Sequence, residues 1–135
     1  MRTLITGANG FVGLRLCDEA RRLGWQVRGA VRSPCQLGPG VEPVTVGSIE
    51  GDTDWTKALR QIDTVVHLAA RVHVMHSESL DPLADFLRVN LRGTENLANQ
   101  AARAGVKRLV YVSSMPIRLT PKNSVRPLQV ASGAG

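Results

Sequence analysis

The stretch TGANGFVG, Thr6 to Gly13, follows the apolar pair Leu4-Ile5 and spaces three glycines as Gly7, Gly10 and Gly13. It predicts the turn that carries a strand into a helix around a dinucleotide pyrophosphate. In such a turn one glycine makes the tight bend, one lets backbone approach the phosphates, and one lets the helix pack closely on the sheet. The helix N-terminus then presents free N–H groups and a positive dipole end to the anion. The spacing is G-x-x-G-x-x-G rather than the commoner G-x-G-x-x-G.

Outward from this turn the chain alternates strand and helix. Thr3 to Thr6 is a short strand. Val12, Leu16, Ala20 and Leu23 recur at helical spacing, so a helix is predicted from Phe11 to Leu23, closed by Gly24. Gln26 to Val31 and Val41 to Val46 read as strands, with a Pro/Gly loop from Ser33 to Gly40 between them. Asp54 is placed to cap a short helix reaching Ile62. Asp63 to Leu68 is a continuous apolar strand, the pattern of a sheet covered on both faces. Asp81-Pro82 is a helix start, an Asp cap with Pro at the first helical position. Leu83, Leu87, Asn90, Thr94, Leu97 and Ala101 would share one face of that helix, which ends at Gly105. Arg108 to Val112 is a fifth strand, followed by Ser113-Ser114. Five strands alternating with helices predict an α/β fold: a Rossmann-like, doubly wound parallel sheet with ligand at the carboxyl ends of the strands.

The bulk numbers fit one soluble domain. The chain has 135 residues, 43% hydrophobic and 21% charged, with no apolar run near the ~20 residues of a membrane span. No signal-peptide core precedes Gly7, so the cytosol is the expected compartment. Cys17 and Cys35 lack partners at metal-ligand spacing, and Cys17 falls on the inner stripe of the first helix. His67, His73 and His76 have no carboxylate or Cys completing a ligand set, so no metal is expected. The net charge of +6 is uneven: residues 1–114 hold 14 Lys/Arg and 11 Asp/Glu, whereas residues 115–135 hold Arg118, Lys122 and Arg126 and no acid. With one Tyr, two Phe and no basic cluster, nucleic acid is not an expected partner.

TGANGFVG, DTVVHLAA, RVNLRGTENL and YVSS stand in an order that resembles an extended short-chain dehydrogenase/reductase, the NAD-dependent epimerase/dehydratase family. LAARVHVMHSES resembles bacterial UDP-sugar C4-epimerase or 4-keto-reductase homologues more specifically. The resemblance implies a cofactor site in which Gly7, Asn9, Gly10, Phe11, Val12 and Gly13 cradle the pyrophosphate and Ser48-Ile49 borders the adenine. The family often has Asp where this chain has Ser48, which can hydrogen-bond but carries no charge. Leu68, Ala69 and Ala70 would let the cofactor lie against backbone. Asn90 would belong to the active-site support network, Ser113 would lie beside the cofactor, and Ser114 aligns with the catalytic Ser/Thr that hydrogen-bonds the reacting carbonyl or hydroxyl. Relatives often dimerise through two helices, one of them matching Asp81 to Ala104, so a homodimer is a possible state.

Arg32 bears on the choice of cofactor. An acid near the end of the second strand would hold the ribose 2′-hydroxyl of NAD. This chain has Arg28 and Arg32 and no acid from Gln26 to Val41. A guanidinium pairs with a 2′-phosphate, which favours NADP over NAD; the alternative is a solvated strand-end Arg.

The family reaction also uses Tyr-x-x-x-Lys. The only Tyr is Tyr111, inside the fifth strand, and Met115 follows four residues later. After Ser114 the family pattern gives way to an acid-free, Pro-containing segment, expected to be irregular and to reflect truncation or a frame change. Residues 1–114 are thus expected to form a partial NAD(P)-binding domain. Two readings follow: the cofactor half of an epimerase or reductase acting on a nucleotide-activated sugar, or a non-catalytic NAD(P)-binding fragment. A third, a basic interaction protein, rests on charge alone.

Overall fold

The computed structural model describes residues 1–70 and 80–112. Five strands, β1 (Arg2–Thr6), β2 (Gln26–Val31), β3 (Val41–Thr45), β4 (Thr64–His67) and β5 (Arg108–Tyr111), form one sheet in the order β3-β2-β1-β4-β5. Every pairing is parallel. The order reverses between β1 and β4, and such a switch point opens a crevice at the carboxyl ends of the strands.

Both faces of the three central strands, β2, β1 and β4, are covered, while the edge strands β3 and β5 keep exposed residues. On one face Leu4, Ala30, Val44 and Val65 pack with Trp55, Leu59, Leu97 and Ala101 from the helical segments. On the other, Ile5, Val27, Val31 and Val41 pack with Cys17 and Ala20 of α1 (Phe11–Arg22). Leu4 and Ile5 are adjacent, point to opposite faces and are both fully buried. Burial pushes the Cys17 thiol up, with Asp18 adding to it, so this sulfur is a protonated core atom rather than a nucleophile.

Helix ends follow the glycines. After α1 the Gly24 N–H bonds Arg21 O and the Trp25 N–H bonds Ala20 O, with Gly24 at φ +81°. Those two bonds are the Schellman closure that glycine permits. Asp81 accepts the Ala84 N–H at 3.0 Å and starts α3 (Pro82–Phe86), as its place before Pro82 predicts.

Two helices differ from expectation. The helix α2 spans only Thr56–Leu59, because Arg60 leaves helical geometry and Gln61 takes a left-handed φ of +59°. Asp54 still engages its first turn, accepting the Thr56 N–H at 2.9 Å. The long helix is not continuous: α3 gives way to a π-helical stretch, Leu87–Gly93, before α4 (Thr94–Arg103). The wider turn breaks the 3.6-residue phase. Leu97 and Ala101 are buried as expected, whereas Leu83 and Leu87, predicted on the same face, are exposed. The segment 115–135, expected to be irregular, lies outside the described residues.

Candidate functional site

The glycine turn is built on backbone contact. Gly7 has φ +65°, and a Cβ there would stand 3.0 Å from Ala69 N. A Cβ on Gly13 would stand 2.0 Å from Gly7 O, closer than any side chain can come. Gly7 lets the end of β1 touch the end of β4, and Gly13 lets α1 pack on the turn. Gly10 is the extended N-cap of α1, with no side chain capping the helix. The first-turn N–H groups are therefore left for an anion.

Above this turn is a cavity of about 510 Å³. Gly7 and Asn9 form its floor after β1. Ala30, Val31 and Arg32 come from the end of β2, Val46 to Glu50 from the end of β3, and Ala69 and Ala70 from the end of β4. Arg88 and Val89 of the π-helical stretch close one side. The walls are apolar at Val31, Val46, Ile49 and Val89, while Arg32, Ser48, Glu50 and Arg88 supply polar groups. Arg88 pairs with Glu50 across the rim at 3.7 Å and with Asp85 at 3.1 Å. Gly93 lets the helix press onto the β3 loop, since a Cβ there would meet Ile49 Cγ2 at 2.7 Å.

The floor is held from beneath by a buried relay. Thr6 Oγ1 accepts the N–H groups of Leu68 and Ala69, both at 3.1 Å. With both lone pairs engaged, its proton goes to His67 Nδ1 at 2.7 Å. His67 therefore carries its own proton on Nε2 and donates it to Thr94 Oγ1 at 3.0 Å. Burial pushes the His67 pKa down to about 4, so the ring is neutral, and it stacks on Tyr111 with centroids 5.6 Å apart. Both ring nitrogens are occupied, which makes His67 a strut between β1, β4 and α4 rather than a metal ligand.

Residues 3–124 match the sequence pattern of the NAD dependent epimerase/dehydratase family. The chain belongs to that family.

Among curated relatives, the UDP-glucose 4-epimerase of Vibrio cholerae is 39% identical over 115 residues, covering 84% of this chain and 35% of the relative. The 3-beta-hydroxysteroid dehydrogenase of Mycolicibacterium neoaurum is 35% identical over 116 residues, covering 84% and 32%. The chain thus spans about a third of the length of the curated relatives it matches. Among solved structures, MoeE5 in complex with UDP-glucuronic acid and NAD superposes with a TM-score of 0.71 at 32% identity, covering 84% of this chain and 37% of that one. A UDP-galactose 4-epimerase gives a TM-score of 0.69 at 30% identity, with coverage of 84% and 38%.

Of the residues singled out in the sequence, the cavity gathers Gly7, Asn9, Arg32, Ser48, Ile49, Ala69 and Ala70. Gly10, Phe11, Val12 and Gly13 lie beside it at the start of α1, with Phe11 and Val12 exposed. Leu68 packs into the core under the floor. Asn90 sits in the π-helical stretch, next to the lining residue Val89. Ser113, Ser114, His73 and His76 lie outside the described residues. Arg28 and Arg32 separate cleanly: Arg28 pairs with Glu42 and donates to the carbonyls of Ala58 and Arg60 at the end of α2, which leaves Arg32 as the strand-end cation on the cavity. Glu50, Arg88 and Val89 were not anticipated. The charge of Arg88 three residues after Asp85, and of Glu50 beside Ser48-Ile49, is the only signal for the first two, and Val89 has none.

Proposed function

We propose that this chain is the cofactor-binding part, residues 1–114, of an NADP-dependent epimerase or reductase acting on a nucleotide-activated sugar in the cytosol. The observation that carries this reading is the cavity at the carboxyl ends of β1 to β4, floored by a glycine turn no side chain could enter and walled by Arg32 and Ser48-Ile49. Family membership and the 39% identity to a UDP-glucose 4-epimerase support the reaction class.

The residues fit a dinucleotide. In this reading the uncapped start of α1, Gly10 to Gly13, faces the pyrophosphate, and Ser48 and Ile49 border the adenine. Arg32 pairs with the 2′-phosphate, a bidentate contact that no acid on the β2 end opposes. Ala69 and Ala70 let the ribose side lie against backbone. Asn90 supports the site from the helix, Ser113 lies beside the cofactor, and Ser114 donates a hydrogen bond to the reacting sugar carbonyl. The nicotinamide, when bound, supplies the hydride exchange at a sugar carbon.

A second reading, binding without turnover, is favoured by one observation. Tyr111 is the only Tyr of the chain, and it is stacked on His67 within β5 rather than followed by Lys four residues on. Turnover of UDP-glucose or a UDP-4-keto sugar by these 135 residues would discard that reading. The cofactor assignment is tested by titrating NADPH and NADH against tryptophan fluorescence. NADPH should bind about tenfold or more tightly, the scale of a charge-assisted pair. Equal affinities remove the role given to Arg32, and no binding of either removes the cofactor reading.

A further inference from the structure

We infer that Asn96 and Gln100 are positioning residues for the adenine end of the cofactor cleft, acting through the loop that follows β3. The inference rests on the cofactor reading above. Neither residue lines the cavity; both grip the outer side of the loop that does. Asn96 Nδ2 donates to Glu50 O at 3.2 Å and to Thr53 O at 2.8 Å. Gln100 Nε2 donates to Thr53 O and to Asn96 Oδ1, both at 2.8 Å, and Gln100 Oε1 accepts the Trp55 N–H at 2.9 Å. Inside the loop, Thr53 Oγ1 donates to Ser48 O at 2.7 Å and accepts the Glu50 N–H at 2.8 Å.

The network fixes the orientation of both amides. The Trp55 N–H demands the oxygen of Gln100, which turns its nitrogen toward Thr53 and Asn96. That nitrogen in turn demands the oxygen of Asn96, which aims its nitrogen at the loop carbonyls. Thr53 O thus receives two side-chain donors one helical turn apart, and Thr53 Oγ1 passes the constraint to Ser48 and Glu50. Gly93 completes the grip by letting the helix touch Ile49. Three cavity residues, Ser48, Ile49 and Glu50, are therefore held through α4 and the turn before it, not by the sheet alone.

The test uses the full chain and two ligands, NADPH and 2′,5′-ADP, the second carrying only the adenosine end. Asn96→Asp keeps the volume of the side chain and removes its donors. It should weaken both ligands by a similar factor of about ten, the worth of one or two buried hydrogen bonds. Thr53→Val should do the same, and Thr53→Ser, which keeps the hydroxyl, should restore affinity to within about twofold. A lower melting temperature with unchanged 2′,5′-ADP affinity overturns the inference, leaving the network a purely structural one. If Asn96→Asp does not fold, hydrogen exchange in the wild-type chain decides. The Glu50 and Trp55 amide protons should exchange as slowly as those of β3, and fast exchange overturns the inference. Failure of the wild-type chain to bind NADPH removes the cofactor reading and this inference with it, whereas wild-type binding with unaffected variants removes this inference alone.

Discussion

On the β3-β2-β1 side of the sheet, Leu4, Ile5, Ala30, Val31 and Val44 are buried, and the loops at the strand ends are tied to one another or to α4. On the β5 side, Val110, Tyr111 and Val112 are 40 to 50% exposed; Phe86, Leu87 and Leu91 of the helical segments beside the cavity are exposed as well, between 43 and 58%. Both flanks come from the same βαβ logic, and α1 on the first also leaves Phe11, Val12 and Leu14 exposed, but only that flank has the leucine, isoleucine and valine side chains of its strands buried among the described residues. The covered flank supplies most of the strand ends that form the cavity, with Ala69 and Ala70 added after β4. The strand ends around the cavity are therefore held by buried packing and backbone contact, and the β5 flank is not held that way by the described residues.

The largest expected effect lies at the turn on the covered flank. Gly13→Ala sets a Cβ against the Gly7 carbonyl, and neither is a flexible group that can yield. It should lower stability by about 3 kcal/mol and abolish measurable cofactor binding. A melt within a degree or two of wild type would show that the turn is not the rigid element described.

Next is acid. His67 is buried and neutral, with its pKa held down to about 4 by desolvation. In the unfolded chain it titrates near ~6.5. The unfolded state thus binds a proton that the folded state refuses, so stability is full above the unfolded pKa and falls as pH drops from about 6.5 to 4, by about 3 kcal/mol. Urea midpoints measured across that range should show the slope, and His67→Asn should remove this part of it. An identical slope in the variant would mean that His67 is solvated.

Smaller still is Arg32→Ser, which should cut the preference for NADPH over NADH about tenfold, some 1.4 kcal/mol, with little change in melting temperature. At the bottom of the scale, Val110→Thr on the exposed flank should change stability by less than about 0.5 kcal/mol. A cost near that of a core residue would show β5 to be covered in solution and would erase the contrast between the flanks.

Much of the covered flank is legible in the sequence because its signals are local. Glycine spacing marks Gly7 and Gly13, apolar runs mark the strands, Gly24 and Gly105 mark helix ends, and the acid-free end of β2 singles out Arg32. What escapes is set by contacts distant in the chain. Periodicity assumes 3.6 residues per turn and so puts Leu83 and Leu87 on the face of Leu97, whereas the π-helical stretch breaks that phase and both are exposed. Asn96 and Gln100 bond to main-chain carbonyls and amides more than forty residues away, and a carbonyl acceptor leaves no trace in residue type. Arg28 and Arg32 look alike in VRGAVR, and only the position of α2 shows that the first is engaged by helix-end carbonyls.

In the proposed function the strand ends of β1 to β4 form the dinucleotide site. Amide NMR of the labelled chain during NADPH titration tests it directly. Saturable shifts are expected at Gly7, Asn9, Arg32, Ser48, Ile49, Ala69 and Ala70, with Val110 and Val112 unmoved. Shifts confined to β5 and the exposed helical face, or none at saturating NADPH, would contradict it.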